Sequence, residues 1–183
     1  MRLTRYKPQQ LSAEQRLLYD EIAGGRRSQG RQRFPLVGDD GALEGPFNSM
    51  LLAPKLGFAL QALGSAIRYG ANLSPRVREV SILMVASKWN CEFEQRAHEP
   101  LAFDCGISTA EIEGIRSGRS PVGQTPAEQA AFEVSRCLIN DADLADDEFE
   151  RYSTLLGADA IFELSTLVGY YSTLALQLRI FRV

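Results

Sequence analysis

The sequence predicts an all-α fold, an antiparallel helical bundle that assembles with copies of itself. Apolar residues recur at helical spacing along almost all of its 183 residues, and there is neither an alternating strand pattern nor an Asn-Gly hairpin. Helix starts are marked by Ser or Thr followed by Pro, or by Glu three positions on, at Ser74-Pro75, at Ser108 to Glu111 and at Thr125-Pro126. The apolar surfaces around 75–89, 90–104 and the C-terminal helix are broader than one small bundle needs to bury, which predicts a homo-oligomer.

The first helix runs from Ser12, as N-cap, to about residue 23, where Gly24-Gly25 ends it. Arg26 to Arg33 is a polar basic loop, read as a solvated connector or as the source of an arginine that grips a substrate carboxylate. A second loop through Gly38, Asp39, Asp40, Gly41 and the Gly45-Pro46-Phe47-Asn48 turn leads to a helix over 54–69, with Pro54 at a first-turn position. The helix opened by Ser74-Pro75 is apolar on several sides and ends near Trp89. Glu79 lies on it among Val77, Val80 and Leu83, where an ionised carboxylate needs a partner.

The next helix carries His98. It either starts at Asn90 as N-cap, which puts Cys91 in a first turn that favours a thiolate, or continues from the helix before it. Pro100 predicts a kink just after His98. A short helix follows Ser108 and stops near Gly118, another runs from Thr125 to about residue 139, and the acidic run Asp141 to Glu150 starts one that stops at Gly157. The last helix, about 158–180, is the most apolar and includes Tyr170 and Tyr171.

A net charge of −3 and a pI near 5.3 provide no long-range attraction for nucleic acid or an anionic membrane, so the expected partners are a small-molecule substrate and the chain itself. No apolar run reaches the roughly 18 to 20 residues of a membrane span, and Met1-Arg2-Leu3-Thr4-Arg5 lacks a signal-peptide core, so a cytoplasmic protein is expected. Cys91, Cys105 and Cys137 are odd in number and widely spaced, which fits reduced thiols rather than a disulfide framework or a four-ligand zinc site.

His98 is the only histidine in the chain. At 100° per residue, Cys91, Glu94 and His98 fall at about 0°, −60° and −20° around a helix, so a thiol, a carboxyl and an imidazole share one stripe. Imidazole moves protons near neutral pH, which makes this stripe the place for proton chemistry. A metal set of Glu79, Glu94 and His98 matches neither His-Glu-x-x-His nor the Glu-x-x-His of di-iron bundles, so neither a metal nor another cofactor is expected.

The run Arg78-Glu79-Val80-Ser81-Ile82-Leu83, followed by Trp89-Asn90-Cys91-Glu92-Phe93-Glu94 and His98, resembles the carboxymuconolactone decarboxylase and alkylhydroperoxidase-D superfamily. A glutamate twelve residues before the cysteine, a position three after it and a histidine four further on reproduce the family register. The resemblance spans about 45–118 and more loosely the Leu167-Val168-Gly169-Tyr170-Tyr171 segment, while 183 residues at 45% apolar content predict one domain over 1–183, with 1–44 and 119–183 flanking that core. It also implies homotrimers or homohexamers.

In the peroxidase branch the second cysteine of a Cys-x-x-Cys pair attacks peroxide. Here Glu94 stands in its place, and a carboxylate forms neither a sulfenic acid nor a disulfide. The decarboxylase branch implies cofactor-free loss of CO₂ from a lactone acid, with His98 as proton donor, Glu79 as its partner, Glu94 orienting the ring or substrate, and Trp89 touching substrate. The chain lacks the additional histidines of that branch, having Gln95, Arg96 and Ala97 there. Its alternatives are a thiol peroxidase using Cys91 and a non-catalytic helical oligomer.

Overall fold

The computed structural model describes residues 2–29 and 33–183, and among these the chain forms nine α-helices and no strand. They are α1 (Ala13–Gly24), α2 (Pro46–Met50), α3 (Pro54–Tyr69), α4 (Pro75–Lys88), α5 (Glu92–Asp104), α6 (Thr109–Arg116), α7 (Pro126–Asn140), α8 (Asp146–Leu156) and α9 (Ala158–Phe181). No helix among the described residues is long and apolar enough to cross a membrane. The chain divides into two compact units, 1–70 with 176–183, and 71–175.

In the first unit α1 starts where the sequence predicts, with Ser12 Oγ accepting from the Gln15 N–H and Gln15 Oε1 accepting from the Ser12 N–H. Its buried Leu18 and Ile22 face α3, which approaches so closely that a Cβ on Gly57 would sit 2.5 Å from Leu18 Cδ2 and from the Met50 carbonyl oxygen. The predicted turn at 45–48 is instead the start of α2, because Pro46 takes the first helical position after Gly45, whose φ of 55° few other residues tolerate. The basic loop is docked at its near end. Arg26 lies over the Tyr69 ring at 4.5 Å and Arg27 over Phe47 at 5.2 Å. Residues 30–32 of that loop lie outside the described residues.

The second unit holds the larger core. Phe132 and Val134 of α7, Val80 and Leu83 of α4, Ile112 and Ile115 of α6, and Leu164 of α9 pack together, each buried almost completely. Burying one such side chain stabilises by roughly 1.5–3 kcal/mol. α4 is central because nine of its 14 residues are buried, which explains why its apolar residues surround the helix instead of forming one stripe. Ser74 Oγ caps it by accepting from the Val77 N–H, and Pro75 occupies its first position. α5 continues through Pro100 to Asp104. α8 starts at Asp146, later than the acidic run suggests, because Ala142 has a φ of 57° and breaks the helical path.

Candidate active site

The turn joining α4 to α5 builds the site. Asn90 adopts φ 47°, its N–H donates to the Ser87 carbonyl at 3.0 Å, and the Cys91 N–H donates to Ala86 O at 2.8 Å. These two bonds form a Schellman motif, with asparagine in the left-handed position that glycine more often fills. Asn90 is therefore the residue that ends α4 and not the N-cap of α5. Cys91 is the N-cap, at φ −95° and ψ 89°, so it stands just outside the helical stripe calculated for it. The tight reversal lays α5 back against α4 and brings residues 19 apart in sequence into contact.

What meets there is Glu79 of α4 with Glu94 and His98 of α5. The imidazole is 7% exposed, Glu79 1% and Glu94 3%. His98 Nδ1 is 2.7 Å from Glu79 Oε2, and Nε2 is 3.3 Å from Glu94 Oε2. Glu79 spends its other oxygen on Arg78, whose Nε donates to Oε1 at 3.3 Å. By contrast, Glu94 Oε1 is buried and has no hydrogen-bond partner among the described residues. Two carboxylates thus flank one ring, and one carboxylate oxygen is uncommitted.

Burial pulls the imidazole pKa down, but attraction to Glu79, its hydrogen bond, and then the Glu94 contacts outweigh this and push it up to about 9. At neutral pH the ring is an imidazolium, and both nitrogens donate. Tyr171 of α9 stands edge-on to the ring with centroids 5.3 Å apart, and Tyr170 meets Tyr171 in the same way at 5.2 Å. Trp89 is half-buried, and its Nε1 donates to Ser172 Oγ at 3.1 Å. The tryptophan therefore fastens α9 to the α4 end of this hairpin.

Each of the residues singled out from sequence lies on this hairpin, and Glu79, Glu94 and His98 are in direct contact. Cys91 is 2% exposed beneath the turn. Arg78 and Tyr171 were missed by sequence reasoning. Arg78 is adjacent to Glu79, and Tyr171 lies in the segment of looser family resemblance, which were the only signals available. Among the described residues no group of three or more His, Cys, Asp or Glu is disposed to hold a metal ion.

Residues 54–136 match the carboxymuconolactone decarboxylase family. Over this segment the chain is similar to that family. The segment begins at the first residue of α3 and ends within α7, so it contains Glu79, Trp89, Cys91, Glu94 and His98. Compared with the segment expected from the motif, it starts nine residues later and extends well past Gly118. No curated protein matches the chain significantly.

Proposed function

We propose that this chain is a cofactor-independent carbon–carbon lyase of the carboxymuconolactone decarboxylase type, acting on a small lactone or other enolisable carboxylic acid by proton transfer. The observation that carries this reading is a buried imidazolium held at one nitrogen by Glu79 and loosely at the other by Glu94. The substrate C–C bond to the carboxylate breaks, CO₂ leaves, and the bonding pair moves into the conjugated carbonyl as an enolate. The enolate carbon then takes a proton from His98. Solvent restores that proton, so one proton is consumed per CO₂ released.

The two ring nitrogens divide the work. At 2.7 Å, the Nδ1 contact with Glu79 is a short charge-assisted bond that fixes the ring and keeps it charged. The 3.3 Å Nε2 contact is beyond the usual range of a strong N–H···O bond, which leaves that proton the freer to transfer. Glu94 Oε1, uncommitted and dry, is suited to accept a substrate hydroxyl or to lead a replacement proton back to the ring. Arg78 offsets part of the negative charge of the pair. The thiol-peroxidase alternative gains nothing from Cys91, which is 2% exposed and has a carboxylate where the partner thiol would be.

Purified protein should accelerate CO₂ release from a panel of small lactone acids that begins with carboxymuconolactone. His98→Ala should remove that rate while circular dichroism stays helical, and equal turnover by the variant would overturn the assignment. Self-association belongs to the same proposal. Leu56 and Leu63 are exposed and fall on one side of α3 with Ala59 and Ala66, at alternating three- and four-residue steps. Light scattering should give a trimer or hexamer mass.

A further inference from the structure

We propose that the unit formed by residues 71–175 carries a second ligand site, a cationic cleft that takes a small organic phosphate dianion. The cleft is a cavity of about 260 Å³ where α4, α6 and α7 end. Lys88, Arg116, Arg119 and Arg136 line it, and among the described residues no acidic one does. None of the Glu79, Glu94 and His98 group belongs to it.

The charges identify the ligand class. Arg116 is paired with Glu99, and Arg136 with Glu133 at 2.9 Å. Lys88 Nζ donates to the neutral amide oxygen of Asn140 at 3.1 Å, and among the described residues the Arg119 guanidinium has no carboxylate partner. Two positive charges are therefore left without a counter-charge around one cavity, and a dianion neutralises both. Arg119 is placed by chain geometry. Gly118 adopts φ 77°, its N–H donates to Ile115 O at 2.9 Å, and the Arg119 N–H turns back to Gly114 O at 2.9 Å. Guanidinium forks and an ammonium group match phosphoryl oxygens.

Cations also collect at helix C-termini because the dipole there is negative. Here the carbonyls at the α6 end, and one at the α7 end, already have donors. Arg116 O accepts from Ser87 Oγ, Ile115 O and Gly114 O accept within the Schellman turn, and Cys137 O accepts from the Asp141 N–H. Helix ends draw cations one by one and do not require four of them to converge on a shared void. Met84, Ile115 and Ile139 add an apolar wall to the same cavity. That wall favours an ester with a carbon substituent over inorganic phosphate.

Isothermal titration calorimetry of the full chain tests this with phenyl phosphate, inorganic phosphate and benzoate as probes. Phenyl phosphate should bind saturably, more tightly than inorganic phosphate and at least about tenfold more tightly than benzoate, which has one charge and one fewer terminal oxygen. Arg119→Ala and Lys88→Ala should each weaken phenyl phosphate about tenfold or more, and added salt should weaken it further. No binding of phenyl phosphate at millimolar concentration, or unchanged binding in the double variant, would overturn the site. Equal affinity for benzoate would overturn the phosphate assignment, and equal affinity for inorganic phosphate the apolar wall. If the cations serve only the helix ends, both variants lower the melting temperature and no probe produces heat.

Discussion

Replacing Glu79 by glutamine removes a charge from the His98 pair while keeping the side-chain shape and an acceptor oxygen. In the intact protein the imidazole pKa rises from 6.5 to about 9, a difference equivalent to about 3 kcal/mol of preference for the charged ring. A unit charge at hydrogen-bond distance is worth about 4 kcal/mol or more at an effective dielectric near 20, which exceeds that net preference. Glu79→Gln should therefore bring the midpoint to 6.5 or below, because burial continues to disfavour the imidazolium. Having a single histidine makes the assay direct: one imidazole signal is followed by NMR across the titration. Stability should follow the same linkage. A raised histidine pKa contributes stability that is complete below pH 6.5 and is lost as pH climbs through about 9, so the unfolding free energy of the native protein should fall across that window. In the variant the fall over that window should disappear. A midpoint that remains near 9 after the substitution would refute the claim that Glu79 holds the ring in its charged form.

Glu94→Gln should lower the same midpoint by less, since its contact is 3.3 Å against 2.7 Å, yet reduce CO₂ release about a hundredfold by removing the uncommitted oxygen beside the donor proton. Cys91→Ser should leave that rate within about twofold, as expected of a thiol that acts as a small buried apolar group; loss of the rate would bring the sulfur into the chemistry. Gly57→Ala should lower the melting temperature. The helix-propensity gain of about 1 kcal/mol is smaller than the roughly 1–3 kcal/mol cost of forcing a methyl against Leu18 and the Met50 carbonyl, and a more stable variant would show that α1 and α3 can separate freely.

Much of the helical order was legible because local signals were strong and agreed with one another. Pro54, Ser74-Pro75 and Thr125-Pro126 each fix a helix start through an N–H that needs no partner or a side chain that supplies one. Asn90 was misread because the same residue type serves at both ends of helices. Its left-handed φ, and not its amide side chain, is what the turn uses. The start of α8 was displaced because the run from Asp141 to Asp147 contains only one large apolar residue, Leu144, and so has no period to read. In the site, Glu94 and His98 were recognisable from their helical spacing, and Glu79 from the register of the family resemblance. Tyr171 and Ser172 lie more than seventy residues beyond His98, and only the packing of α9 brings them there. The arginine stacking of the basic loop was equally invisible, because it depends on which aromatic rings the fold places nearby.

On the proposed mechanism His98 hands a proton to the enolate carbon generated as CO₂ leaves, and isotope placement reads this directly. Turnover in deuterium oxide should leave one deuteron at that carbon, on a single face, for each CO₂ released, and His98→Ala should form no such product above the uncatalysed rate. A product labelled equally on both faces by the intact protein would mean that bulk water supplies the proton, and would contradict the role given to the buried ring.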